Sequence, residues 1–183
     1  MHVWIKWIKT YAWAWLKWII LAAALVGVDL FTKHLAIAHL MKKDAFVIIP
    51  NWLELHYAEN SAGAMGIDFP GVIGVLSIFT IAVMAVIAWY IFKHRNENKW
   101  LLMFLTVIFA GGMGNLVERV FKEFVVDFIY VKIINFPIFN FADICVSLGC
   151  IALSVYLLFF YKEKEKESDK IEADSSEGAA NSN

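Results

Sequence analysis

Charge is what this chain has least of: Asp, Glu, Lys and Arg make up 18% of its 183 residues, against 61% hydrophobic ones. Soluble domains carry about 25% charged and about 45–50% apolar residues, so the composition excludes an ordinary soluble domain and indicates a polytopic membrane protein. Nor is there an excess of positive charge. The formal net charge is -1, and without a basic face to seat a phosphate backbone, nucleic acid is excluded as a partner. Cysteine is limited to Cys145 and Cys150. Both lie inside one apolar stretch, five positions apart and so on different helical faces; they match no metal motif and read as small apolar packing residues. A nucleophilic-serine motif and a metal-ligand cluster are absent, and "GGMG" at Gly111–Gly114 lacks the strand and the lysine that a phosphate loop needs. His2, His34, His39, His56 and His94 are scattered and read as interfacial or loop residues. No metal and no cofactor is expected.

What the chain does have is long hydrophobic runs. A spanning helix needs roughly 20 apolar residues, which leaves room for one membrane domain with several spans. The expected spans are residues 1–28, 71–92, 100–117 and 144–161. The first has early lysines like a secretory leader but is too long for one, and it is read as retained. Its Trp4, Trp7, Tyr11, Trp13, Trp15 and Trp18 are expected to form an interfacial aromatic belt. With four spans, Lys6, Lys9, Lys93, Arg95, Lys99, Lys162, Lys164 and Lys166 share one side, leaving Lys42, Lys43, Arg119, Lys122 and Lys132 on the other. The positive-inside rule then makes both termini cytoplasmic. The two outer connections, about 37–69 and 120–138, contain "FVIIPNWLELHY" and "EFVVDFIYVKII". Alternation in the first and β-branched and aromatic residues in the second suit strands of a small sheet on the outer membrane surface. The resulting expectation is an all-α membrane protein of four transmembrane helices with a small extracytoplasmic β-sheet. Residues 1–161 would form the membrane domain, and the charged segment 162–183 a disordered cytoplasmic tail.

Against this apolar background a few polar residues stand out, because an ionised group in mid-helix costs about 2.5–3.5 kcal/mol on insertion scales. Asp29 and Lys33 are four apart on one helical face, which suits a salt bridge where the first helix meets the interface. Asn115 and Arg119 repeat that spacing after Gly111, Gly112 and Gly114, which would let backbones approach closely. Asp143 could be the N-cap of the last span, and Asp127 could neutralise Arg119 or Lys122. As a converging pair the two carboxylates would repel, so that one keeps its proton: an acid and a base in one site, the arrangement with which aspartic proteases hydrolyse amides. The other reading is a small proton- or ion-coupled transporter, in which intramembrane carboxylates relay charge. A non-enzymatic scaffold locked by charge pairs is a third.

Five blocks in order, "DLFTK" (29–33), "ENSAGAMG" (59–66), "GGMGNLVER" (111–119), "VVDFI" (125–129) and "FNFAD" (139–143), are similar to those of the bacterial lipoprotein signal peptidases, or signal peptidase II. The resemblance covers roughly residues 13–161. It implies an intramembrane aspartyl endopeptidase of the bacterial cytoplasmic membrane, active toward the extracytoplasmic face and working as a monomer among membrane lipids. Its substrate would be a prolipoprotein, cut just before a diacylglyceryl-modified cysteine. On the matching positions, Asp127 and Asp143 would be the catalytic pair. Asn60, Asn115, Arg119 and Asn140 would line the site and hold the substrate backbone, with Asp29 and Lys33 in support. The chain departs from the family pattern with Glu118 where Asp is usual, and with Asn60-Ser61-Ala62-Gly63-Ala64 in place of Asn-x-Gly-Ala-Ala.

Overall fold

In the computed structural model, residues 2–61, 71–94 and 98–161 are described, with side chains from Trp15 onward. Helix α1 (His2–Leu40) is unbroken over 39 residues, about 58 Å at about 1.5 Å per residue and thus roughly twice the hydrocarbon thickness. Among the residues with described side chains its candidate span, by length and composition, is Trp15–Leu40, so the helix runs on past residue 28, where the expected first span ended. Asp29 and Lys33 therefore lie inside this apolar helix and do not mark its end. The apolar run continues beyond them with Leu30, Phe31, Leu35, Ala36 and Ile37, and the two charges are neutralised internally. The other candidate spans are α2 (Val72–Lys93), α3 (Lys99–Lys122) and α4 (Phe141–Tyr156), the last extended by a π-helical turn at Leu157–Tyr161. Asn98 caps the start of α3 by accepting from the Trp100 amide, and Glu123 closes it in the left-handed region.

α3 is the hub. Half of its spanning window is buried, against 17% for each of the other three. Small residues let the neighbours in: a Cβ on Gly111 would stand 2.5 Å from the Ala142 carbonyl of α4, and one on Gly112 would stand 2.7 Å from Met84 of α2. One apolar cluster joins Met84, Ile87 and Ile91 of α2 to Leu102 and Ile108 of α3. Trp15 and Trp18 pack against it, and Trp15 stacks on Phe92. These two indoles of the expected aromatic belt are half-buried and pack on neighbouring helices. The side chains of Trp4, Trp7, Tyr11 and Trp13 lie outside the described set, as do Arg95 and the tail from Lys162.

At the far end of α3 the two connecting segments form the expected sheet, antiparallel in the order β1 (Phe46–Ile49), β2 (Leu53–Asn60), β3 (Val125–Val131). The first segment supplies two strands, because Asn51 adopts positive φ and the Trp52 amide bonds back to Ile49 in a tight turn. Val126 and Phe128 of β3 pack on Ala36 and Leu40 of α1, which seats the sheet on the end of the bundle. The β2–β3 register pairs Leu55 with Ile129 but Ala58 with Asp127. One extra residue thus sits in β2 at His56–Tyr57, and this bulge turns Ala58 and Asn60 to the face that carries Asp127.

Candidate active site

Between the apolar cluster and the sheet, α1, α3, α4 and β3 meet on a layer of buried polar groups: Asp29, Lys33, Asn115, Glu118, Asp127 and Asn140. Asn140 is the N-cap of α4, its Oδ1 accepting from the Asp143 amide at 3.0 Å. Asp143 reciprocates as the third helical residue, with Oδ2 accepting from the Asn140 amide at 3.0 Å, a capping box. The possibility that Asp143 is itself the N-cap is thereby corrected. Its other oxygen, Oδ1, accepts from Asn115 Nδ2 at 2.8 Å.

Asp127 comes from the sheet. Its Oδ1 accepts from Asn140 Nδ2 at 2.6 Å and its Oδ2 from Asn60 Nδ2 at 2.9 Å. Asn140 therefore holds both carboxylates at once, one through its side-chain amide and the other through its backbone N–H. Burial is the chief cause that pushes the Asp127 carboxyl up to about 6; the nearby Asp143 charge adds to it, and the hydrogen bonds from Asn60 and Asn140 oppose it. The bland reading in which Asp127 neutralises Lys122 fails, because Lys122 Nζ lies 2.8 Å from Glu118. Arg119 is half-buried, and the charges of both aspartates act on it. Among the described residues its guanidinium makes no direct hydrogen bond.

Behind the pair runs a buried charge network. Lys33 Nζ lies 2.8 Å from Asp29 Oδ2 and 3.1 Å from Glu118 Oε2, and donates to Asn115 Oδ1 at 2.7 Å. Asn140 Nδ2 donates to that same Asn115 oxygen at 3.0 Å, so two donors fix the amide with its Nδ2 toward Asp143. Asp29 also accepts from the Ala142 amide at 2.9 Å, tying the first helix to the start of the fourth. A Cβ on Gly114 would collide with the Asp29 carboxylate, which gives this glycine a steric reason. The structure thus brings together Asn60, Asn115, Asp127, Asn140 and Asp143, places Arg119 in electrostatic range, and sets Asp29 and Lys33 directly behind. Sequence reasoning noted Glu118 only as a departure from the family pattern and missed its reach to β3, and it missed the bond of Asp29 to the start of α4, a contact across 113 positions with no local signal. Among the described residues no His, Cys, Asp or Glu group could hold a metal ion.

Residues 21–159 match the family model described as Signal peptidase (SPase) II. A lipoprotein signal peptidase of Clostridium acetobutylicum is 37% identical over 152 residues, covering 81% of this chain and 97% of that protein. One of Streptococcus pneumoniae is 32% identical over 139 residues, covering 76% and 90%. Two solved structures described as bacterial membrane enzymes superpose with TM-scores of 0.70 and 0.71 at 33% and 31% identity. They cover 78% and 79% of this chain, and 87% and 94% of their own.

Proposed function

We propose that this chain, which belongs to the signal peptidase II family, removes signal peptides from prolipoproteins, with Asp127 and Asp143 as its catalytic pair. The observation that carries the assignment is the position of Asn140, bonded to both carboxylates. Two like charges so placed favour the state with one proton between them. The ionised member takes a proton from water as the water attacks the scissile carbonyl carbon, and the protonated member donates to the carbonyl oxygen. Collapse of the tetrahedral intermediate breaks the C–N bond and a proton goes to the nitrogen. The products are a signal peptide ending in a carboxylate and a mature chain with a free amino group on its first residue.

The proposed bond lies just before a cysteine carrying diacylglycerol, whose acyl chains remain among the helices and bilayer lipids. The chain works as a monomer in the bacterial cytoplasmic membrane, with both termini cytoplasmic and the pair toward the extracytoplasmic face. Asn60, Asn115 and Asn140 line the site and present the carboxylates, because their amide groups point at Asp127 and Asp143. Arg119 holds a substrate carbonyl. Asp29 and Lys33 support the site by fixing Asn115 and the start of α4. The transporter reading finds no support: the relatives are peptidases, and among the described residues none of the four spans is unwound near its middle.

The test is cleavage of one precursor in lipidated and unlipidated form, with Asp127→Asn and Asp143→Asn beside the parent enzyme. Cleavage of the lipidated form alone, lost in both variants while each remains folded and membrane-inserted, is expected. Retained processing in both variants refutes the pair.

A further inference from the structure

Glu118 is 2% exposed and sits on α3 one position before Arg119, with its carboxylate bonded to groups of α1 and β3. Its Oε2 accepts from the Val126 backbone amide at 2.9 Å and lies 3.1 Å from Lys33 Nζ. Its Oε1 accepts from Lys122 at 2.8 Å. Val126 is the residue before Asp127 and is fully buried, so this bond pins the strand at the point where it delivers a carboxylate to the site. Lys33 in turn is the donor that orients Asn115. One carboxylate thus touches both routes into the pair, the strand route to Asp127 and the amide route to Asp143.

We propose that Glu118 is a positioning residue for the peptidase reaction, its reach seating β3 and its charge offsetting Lys33 in the field felt by the two aspartates. The proposal rests on the reading of Asp127 and Asp143 as the catalytic pair. Reach and charge are separable. Aspartate keeps the charge but, one methylene shorter, draws back from the Val126 amide. Glutamine keeps the length but leaves the Lys33 ammonium less compensated. The groups facing Asp127 are Asn60 from β2, Asn140 and Asp143 from the start of α4, Arg119 from α3, and Lys33 acting from α1. Lys33 favours the ionised form of Asp127. Neutralising Glu118 therefore strengthens the cationic field and lowers the pH at which the pair loses its protons. Neutralising Lys122, which is 37% exposed on the other side of Glu118, leaves the glutamate charge less offset and moves the pair the opposite way.

The experiment measures kcat and KM for a lipidated precursor across the acid-to-alkaline range in Glu118→Gln, Glu118→Asp and Lys122→Gln, each profile normalised to its own maximum. Expected is a shift of both limbs to lower pH by about half a unit or more in Glu118→Gln, and a smaller shift to higher pH in Lys122→Gln. Glu118→Asp should keep its limbs in place, with kcat down about tenfold and KM little changed. Normalisation removes the effect of any misfolded fraction, and the tolerant surface site at Lys122 gives a reading even if a Glu118 variant does not fold. Limbs unmoved in both neutralising variants, or full kcat in Glu118→Asp, overturns the proposal. Asp127→Asn, run in parallel, separates this outcome from failure of the pair itself: its retained activity would remove the pair, whatever the Glu118 variants do.

Discussion

At one end of the bundle, Met84, Ile87 and Ile91 close on Leu102 and Ile108 with no polar partner to satisfy. Toward the sheet the same α3 meets α1, α4 and β3 through Asp29, Lys33, Asn115, Glu118, Asp127 and Asn140, all buried. The two regions obey different rules. Apolar packing in a bilayer gains little from leaving the lipid, so the first region depends on shape, and one fewer methyl is a local matter. In the second every group is the required partner of another. Removing one charge leaves its neighbour buried and unpaired, which costs more than the pair itself contributes. The apolar end can vary; the polar layer acts as a unit.

The sharpest way to break that contrast is Asp143→Asn, which keeps the size of the group and one of its two acceptors for Asn115 and Asn140 but removes the proposed acid–base pair. Cleavage of a lipidated precursor should fall on the order of 10²–10⁴-fold per folded enzyme, far more than the modest loss of thermal stability from the one unmade hydrogen bond accounts for. Lys33→Met tests the network as structure: with Asp29 and Glu118 stranded, stability in detergent should drop by about 3–5 kcal/mol, read as an earlier melting transition. Gly114→Ala puts a methyl onto the Asp29 carboxylate and should cost about 1–3 kcal/mol, with activity falling in step. At the apolar end, Met84→Ala should cost about 2 kcal/mol and leave kcat per folded enzyme unchanged. An equal loss of kcat there would erase the distinction between the regions.

The most gradual effect is a pH slope. Asp127 is held at about 6, above its ordinary 3.8, so the folded state binds this proton more tightly than the unfolded chain does. Its contribution to stability is complete below about 4 and is lost as pH rises through about 6. The melting temperature of the parent protein should decline across that window, and Asp127→Asn should remove the decline.

The same contrast explains what was readable in the sequence. The four spans followed from run length and the sheet from β-branched and aromatic segments, because both signals are local. The end of the first span was misplaced: Asp29 and Lys33 look like a boundary unless one knows that Glu118, 85 positions beyond Lys33, neutralises the lysine. Asn60, Asn115, Asp127, Asn140 and Asp143 were legible as a set only through ordered motif blocks, and the structure shows their amides and carboxylates joined. Glu118 was undervalued because its partner on β3 is a backbone amide, which no side-chain pattern records.

The bulge at His56–Tyr57 has a consequence for how this protein tolerates change. Beyond it, every side chain of β2 points to the side opposite the one a regular strand would give it, and Asn60 reaches Asp127 only for that reason. Replacing either bulge residue changes local contacts, the Tyr57 packing under the sheet or the His56 bond to Glu54; deleting one would flip the rest of the strand and swing the Asn60 amide away from Asp127. In this stretch, residue number is the stricter inheritance and residue type the looser one.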